Sequence, residues 1–155
     1  MTKPQLYNKK NSKVLKSKLN SESFDRITCS FYRYINIKSP ETKRDLLYIE
    51  WEELDVLGRT YIANEGINAQ ISIPEKNWNK FTKKLSYHDE FKNLKFKIAV
   101  ENNNQSFYKL IIRIKPQIVA DGLINEEYDL SNIGKHLSPK EFNEHIEQNN
   151  SIIVD

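Results

Sequence analysis

"YIANEGINAQISI", Tyr61 to Ile73, reads as two strand halves that meet at Asn64, Glu65 and Gly66. A three-residue connection ending in Gly turns a hairpin with a bulge, because Gly accepts positive φ without a Cβ clash. Beyond the turn Ile67, Ala69, Ile71 and Ile73 share one face, while Asn68, Gln70 and Ser72 share the other. The strand therefore has a core side and a polar side. Asn68 and Gln70 so close to the turn admit two readings, a solvated sheet face or the lining of a site.

Working outward, Ile27 to Ile37 alternates in the same way. Ile27, Cys29, Phe31, Ile35 and Ile37 form one row, interrupted by Arg33, and Thr28, Ser30, Tyr32, Tyr34 and Asn36 form the other. "SPETKRDLLYIEWEELDVLG" follows, with Ser39 placed as an N-cap, Pro40 at the first helical position and Gly58 as a left-handed closing residue. Leu47, Trp51 and Leu54 give that helix one buried stripe, and Glu50, Glu52 and Glu53 its solvent side. Downstream of the hairpin Pro74 opens a second helix with Trp78, Phe81 and Leu85 on one face, and Leu94, Phe96, Ile98 and Val100 alternate as another strand. The order is β-α-β-β-α-β. It predicts an α+β, ferredoxin-like antiparallel sheet with both helices on one side. A further strand from Phe107 to Lys115, with Lys109, Arg113 and Lys115 on one side, is expected to extend the sheet. Lys95 and Lys97 line the strand before it in the same manner.

At 155 residues, 38% hydrophobic and 29% charged, the chain suits one ordinary core plus extras. No apolar run approaches the ~18 residues that span a bilayer, so no membrane partner is expected. "MTKPQLYNKKNSKVLKSKLN" has lysines but no apolar h-region, and a cytoplasmic location is expected. Cys29 is the only cysteine, and His88, His136 and His145 have no partner at metal-ligand spacing; neither a metal site nor a cofactor is visible. The net charge of +3 hides strong polarity: +6 over residues 1–20, −4 over 21–75, +7 over 76–115 and −6 over 116–155. Such segments either attract a polyanion or dock one part of the chain on another.

Residues 1–23 read as a basic N-terminal arm or loosely packed helix, 24–120 as the ferredoxin-like domain and 121–137 as a linker. Residues 138–155 start a second unit: "SPKE", Ser138 to Glu141, is a capping box before a short helix with Phe142 and Ile146, and "SIIVD" opens as a buried strand. The chain is expected to be cut short there.

"SFYRYINI", "GRTYIANEGINAQISIP", "SFYKLIIRIKPQIVADG" and "HLSPKEFNEHI" with "SIIVD" together resemble the bacterial oxygen-dependent tRNA uridine hydroxylases, rhodanese-domain proteins, over nearly all of Ser30 to Asp155. The resemblance implies an acylphosphatase-like first domain followed by the beginning of a truncated rhodanese domain. It implies 5-hydroxylation of the wobble uridine of tRNA, with molecular oxygen as co-substrate. It also implies two partners, tRNA and the rhodanese domain of the same full-length chain. The family's reactive cysteine is expected beyond Asp155, because Cys29 lies on the apolar row of a strand. No catalytic residue is therefore assigned here, and the chain alone is expected to be inactive.

On this reading Lys95, Lys97, Lys109, Arg113 and Lys115 are candidate phosphate contacts, and Tyr32 and Tyr34 candidate stacking platforms for unpaired bases. Packing of the same face on the rhodanese domain is equally compatible. Asn64, Glu65, Asn68 and Gln70 are candidates for an interdomain cleft, or simply turn chemistry. A rhodanese-type sulfurtransferase stays open, since fold alone does not choose the reaction. So does a non-catalytic RNA-binding or interaction module, although the RNA-recognition signature [KR]-G-[FY]-[GA]-F-V-x-[FY] is missing. An acylphosphatase-like hydrolase would need a phosphate-cradling Gly-rich loop, and the four glycines are scattered.

Overall fold

The structure, a computed structural model, describes residues 6–100, 106–119, 132, 134–148 and 150–154. The chain divides into two units, Met1–Gly122 and Leu123–Asp155.

In the first unit the elements run α1 (Ser12–Asn20), β1 (Arg26–Tyr34), α2 (Pro40–Glu52), β2 (Leu57–Ala63), β3 (Gly66–Pro74), α3 (Trp78–Ser86), β4 (Lys97–Ile98) and β5 (Leu110–Ile114). The sheet order is β4-β1-β3-β2-β5. The first four strands pair antiparallel, which is the expected ferredoxin-like, acylphosphatase-like arrangement. The extra strand differs: β5 joins the far edge parallel to β2, so the five-stranded sheet is mixed.

Alternation decides which face is buried. Cys29 and Phe31 of β1, Ile62 of β2, Ile67, Ala69, Ile71 and Ile73 of β3, and Leu110 and Ile112 of β5 all enter the core. Each fully buried isoleucine contributes roughly 1.5–3 kcal/mol. Helices α2 and α3 cover that face alone, with Leu47, Trp51, Phe81 and Leu85 packed against it. Ring edges meet ring faces there: Phe31 with Trp51 at 6.4 Å and Phe96 at 5.3 Å, and Trp51 with Phe81 at 5.6 Å.

Several local expectations change. The hairpin loop is two residues, Asn64 and Glu65, because Gly66 already pairs with Ala63. Helix α2 stops at Glu52, and the left-handed residue after it is Asp55 (φ 53), not Gly58. Gly58 instead sits inside β2, where a Cβ would stand 2.3 Å from the Gln70 carbonyl oxygen. Pro74 ends β3, and a 3-10 turn at Glu75–Asn77 precedes α3. The strand expected from Leu94 to Val100 reduces to Lys97–Ile98, with Val100 fully exposed, as suits a short edge strand. Arg33, on the core-side row, donates to the carbonyls of Glu90, Lys92 and Asn93 and so closes the turn that holds the left-handed Asn93.

The basic segment 1–23 contains a full helix. Asn11 caps α1, and Leu15 and Leu19 are buried. Glu22 accepts two bonds from the buried Arg26 guanidinium, at 2.7 and 2.8 Å, while Arg26 also donates to the carbonyls of Asp55 and Ser72. All four contacts offset the cost of burying that cation.

The second unit contains α4 (Pro139–Ile146), opened by the expected capping box of Ser138 and Glu141. Lys135 and the Ser138 backbone hold the Glu141 carboxyl at a pKa of about 2. Ser151–Val154 forms no strand, and Ile152, Ile153 and Val154 are exposed; no described strand offers them a ladder. The expected linker lies mostly outside the described residues.

Gly66→Ala is expected to cost about 2–4 kcal/mol, since φ is +148° and a Cβ would sit 2.0 Å from the Arg33 carbonyl oxygen. Gly134→Ala, with nothing within 4 Å, should stay within about 0.5 kcal/mol. Urea midpoints of the two variants check this.

Candidate nucleic-acid interface

Because both helices lie on one side, the alternate residues of every strand face the other way. Register places them in rows across the sheet. One row runs Lys97, Ser30, Gln70, Arg59, Ile111, and the next runs Tyr32, Asn68, Tyr61, Arg113. Among the described residues, no strand position on this face carries a carboxylate. The side chains of Arg59, Gln70, Lys97 and Arg113 are exposed and make no hydrogen bond or ion pair among the described residues. Three acids of the helical side are paired there: Glu53 with Lys84, Glu90 with Lys43, Glu50 with His88.

Aromatic rings interleave these cations. Tyr32 is 51% exposed, and its ring meets that of Tyr34 edge-on at 6.4 Å. Lys115 lies 5.6 Å from the centroid of Tyr61, a cation–π contact that leaves the ammonium at the sheet edge. The face ends at Ser72, which is buried.

The candidate residues do not all converge. Lys95 and Lys97 belong to the β4 edge and Arg113 and Lys115 to the β5 edge, four strand spacings or about 19 Å apart. Lys109 leaves the group: it is half-buried over Tyr108, a ring that also receives Lys16 of α1. Asn64, Glu65 and Asn68 hold chain segments. The Asn64 side-chain amide donates to Ile37 O, and the Asn64 backbone carbonyl accepts from Ile37 N. The buried Glu65 carboxylate accepts from Ile118 N at 2.6 Å, and Asn68 donates to Ile118 O. Of the four, only Gln70 projects freely from the sheet. Sequence reasoning missed Arg59 and Tyr61, although their alternation with Thr60 and Ile62 in "RTYI" carries the signal.

Cys29 is 3% exposed, and burial raises its thiol pKa to about 12. It carries no useful thiolate near neutrality. Among the described residues no cluster of three or more His, Cys, Asp or Glu is placed to hold a metal ion, and no helix is long and apolar enough to cross a membrane.

Residues 26–118 match the family described as the UPF0176 acylphosphatase like domain. The chain is 52% identical, over 99% of its length, to a tRNA uridine(34) hydroxylase of Leptospira interrogans, of which it covers 42%. It is 39% identical, over 98% of its length, to proteins of the same description from Escherichia fergusonii and Hamiltonella defensa, covering 44% and 43% of them. The chain thus spans a little under half the length of these relatives.

Native protein at pH 8 should resist a thiol-specific disulfide reagent and react fully once unfolded in urea; a rapid native reaction, followed by absorbance, would contradict the burial of Cys29.

Proposed function

The chain belongs to the family of the UPF0176 acylphosphatase like domain, and from that premise we propose that it is the N-terminal, RNA-holding part of a tRNA uridine hydroxylase. The whole protein hydroxylates uridine 34, the reaction for which its relatives are named. On this proposal the carbon modified is C5, molecular oxygen is the co-substrate, and the work is done in the cytoplasm. Residues 24–120 hold the tRNA, and 138–155 begin the rhodanese domain that carries the reactive cysteine.

One observation supports the reading above the others: a sheet face with Arg59, Lys97, Arg113 and Lys115 around Tyr32 and Tyr61, and no carboxylate among them. Cations without acidic partners gain from displacing the counterions of a polyanion. Rings of this kind accept any unpaired base on their faces. The geometry suits a single-stranded loop better than a duplex, whose bases are hidden in the stack.

Replacing Arg59, Arg113 and Lys115 together by Ala should flatten the slope of log K against log salt by about 2, at ~0.7 per neutralised phosphate of single-stranded RNA. Affinity should fall for all tRNAs alike, because phosphate contacts position without reading bases. Filter binding of unmodified tRNA over a salt series measures both. An unchanged slope would give this face to protein packing instead.

Thiol chemistry in this chain is blocked by the burial of Cys29. Incubating the chain alone with unmodified tRNA and oxygen should therefore yield no 5-hydroxyuridine on nucleoside mass spectrometry. Its appearance would place a catalytic centre within these residues.

A further inference from the structure

Residues 1–20 bring six lysines and no acid to the fold. Helix α1 sorts them. At about 100° per residue, Leu15 and Leu19 mark its buried stripe, Lys13 and Lys16 fall on one flank, and Lys18 falls on the other. The two flanks meet different neighbours. Lys18 faces Asp55 at 3.8 Å, on a groove that Glu22 and Glu52 also line, and Glu22 is taken by Arg26. On the opposite flank Lys16 lies 5.3 Å from the centroid of Tyr108, and Lys109 lies 5.6 Å from the same ring. The side chains of Lys13, Lys16 and Lys109 make no hydrogen bond or ion pair among the described residues. A ring attracts each ammonium group without neutralising it.

Tyr108 joins this patch to the open sheet face. Lys109 leads directly into β5, whose open side carries Arg113 four residues, or about 13 Å, further on. The clamp of Glu65 and Asn68 on Ile118 lies past the opposite end of β5, so it does not stand between the two surfaces.

Resting on the RNA-holding reading above, we propose that Lys13 and Lys16 of α1, with Lys109, form a second RNA contact. It holds the phosphates of a base-paired stem while the open face holds the unpaired loop that the stem closes. The patch offers ammonium groups and no guanidinium, so it meets phosphate oxygens as point charges, without the planar fork that recognises by geometry. A stem hides its bases and presents phosphate and ribose. It also rewards such cations more than a single strand does, at ~0.9 against ~0.7 per neutralised phosphate in the salt slope. Lys13 and Lys16 stand one turn apart, about 5–6 Å between Cβ atoms, and address neighbouring phosphates. Loop and stem are covalently continuous, so once the loop is held the second contact is intramolecular and multiplies the first.

Two fluorescently labelled RNAs, titrated with the full chain across a salt series, test the contact by anisotropy: a hairpin of five base pairs closing a seven-nucleotide loop, and the linear heptamer of that loop. The hairpin should bind at least about tenfold more tightly. Lys13→Gln with Lys16→Gln should lower the hairpin's slope of log K against log salt by about 2 and leave the heptamer within about twofold. Lys80→Gln with Lys83→Gln removes the same charge from α3 and should change neither. Lys13→Arg with Lys16→Arg keeps the charge and should keep hairpin binding. An equal loss for hairpin and heptamer, or an equal loss in the α3 variant, reduces the effect to overall charge and overturns the stem contact. An unchanged hairpin slope also overturns it and leaves the α1 lysines to an acidic protein partner. In each of these outcomes, heptamer binding by the unmutated chain keeps the RNA-holding reading. Failure of both RNAs to bind overturns both.

Discussion

The backbone of β3 is approached from both sides at points where no side chain fits. Gly58 of β2 stands so close to Gln70 and Ile71 that a Cβ would enter their backbone, and Gly66 stands as close to Arg33 on β1. Both adopt positive φ, 143° and 148°, a region that other residues avoid. These two contacts fix how β1, β3 and β2 slide against one another. A slip of one residue would turn every side chain to the opposite face, moving Ile67, Ala69, Ile71 and Ile73 into water and Asn68 and Gln70 into the core. The buried core and the polar face are thus one decision, taken at two glycines.

That decision also sorts the charge. Along the chain the segment from 21 to 75 sums to −4, and nothing in that sum hints at a basic surface. Folding separates its members. Glu50 and Glu53 pair with His88 and Lys84 in the helical layer, where Lys43 pairs with Glu90 of the following segment, while Arg59 lies on the other side of the sheet. Glu65, at the hairpin beside the open face, spends its carboxylate on the Ile118 backbone and is buried. At physiological salt a charge is felt over about 8 Å. A ligand on the open face therefore meets the local cations rather than the net charge of +3.

Periodicity made the central strands legible because they are paired on both sides, and burial then enforces the alternation that the sequence displays. At the edges that link weakens. "LKFKIAV" alternates through seven residues, yet only Lys97 and Ile98 pair, because the edge strand has one neighbour and Val100 has nothing to pack on. Strand order is set by contacts distant in sequence, so the opposite placement of Lys97 and Arg113 was not readable from their closeness along the chain. Gly58 was misassigned as a helix terminator because a helix end and a close strand approach both call for glycine. Gln70 was readable as polar and outward, but its freedom was not, since that depends on Asn64, Glu65 and Asn68 being occupied elsewhere.

The clamp on Ile118 bears on what the face can do. Glu65 and Asn68 take the backbone N–H and C=O of a single residue, so the segment leaving β5 is held across one end of the polar face with both of its groups satisfied. At the other end Ser72 is buried. What remains open is a short band one or two rows deep, running across the strands rather than along them. A band in that direction crosses four strand spacings, about 19 Å. An extended single strand of about three nucleotides would fit that length, with cations at either edge and Gln70, whose amide has no partner among the described residues, at its middle. A duplex, wider and rigid, would have to rest on the clamp. The constraint that favours a flexible loop over a helix is therefore steric, and it comes from two polar side chains whose first duty is to hold the chain itself.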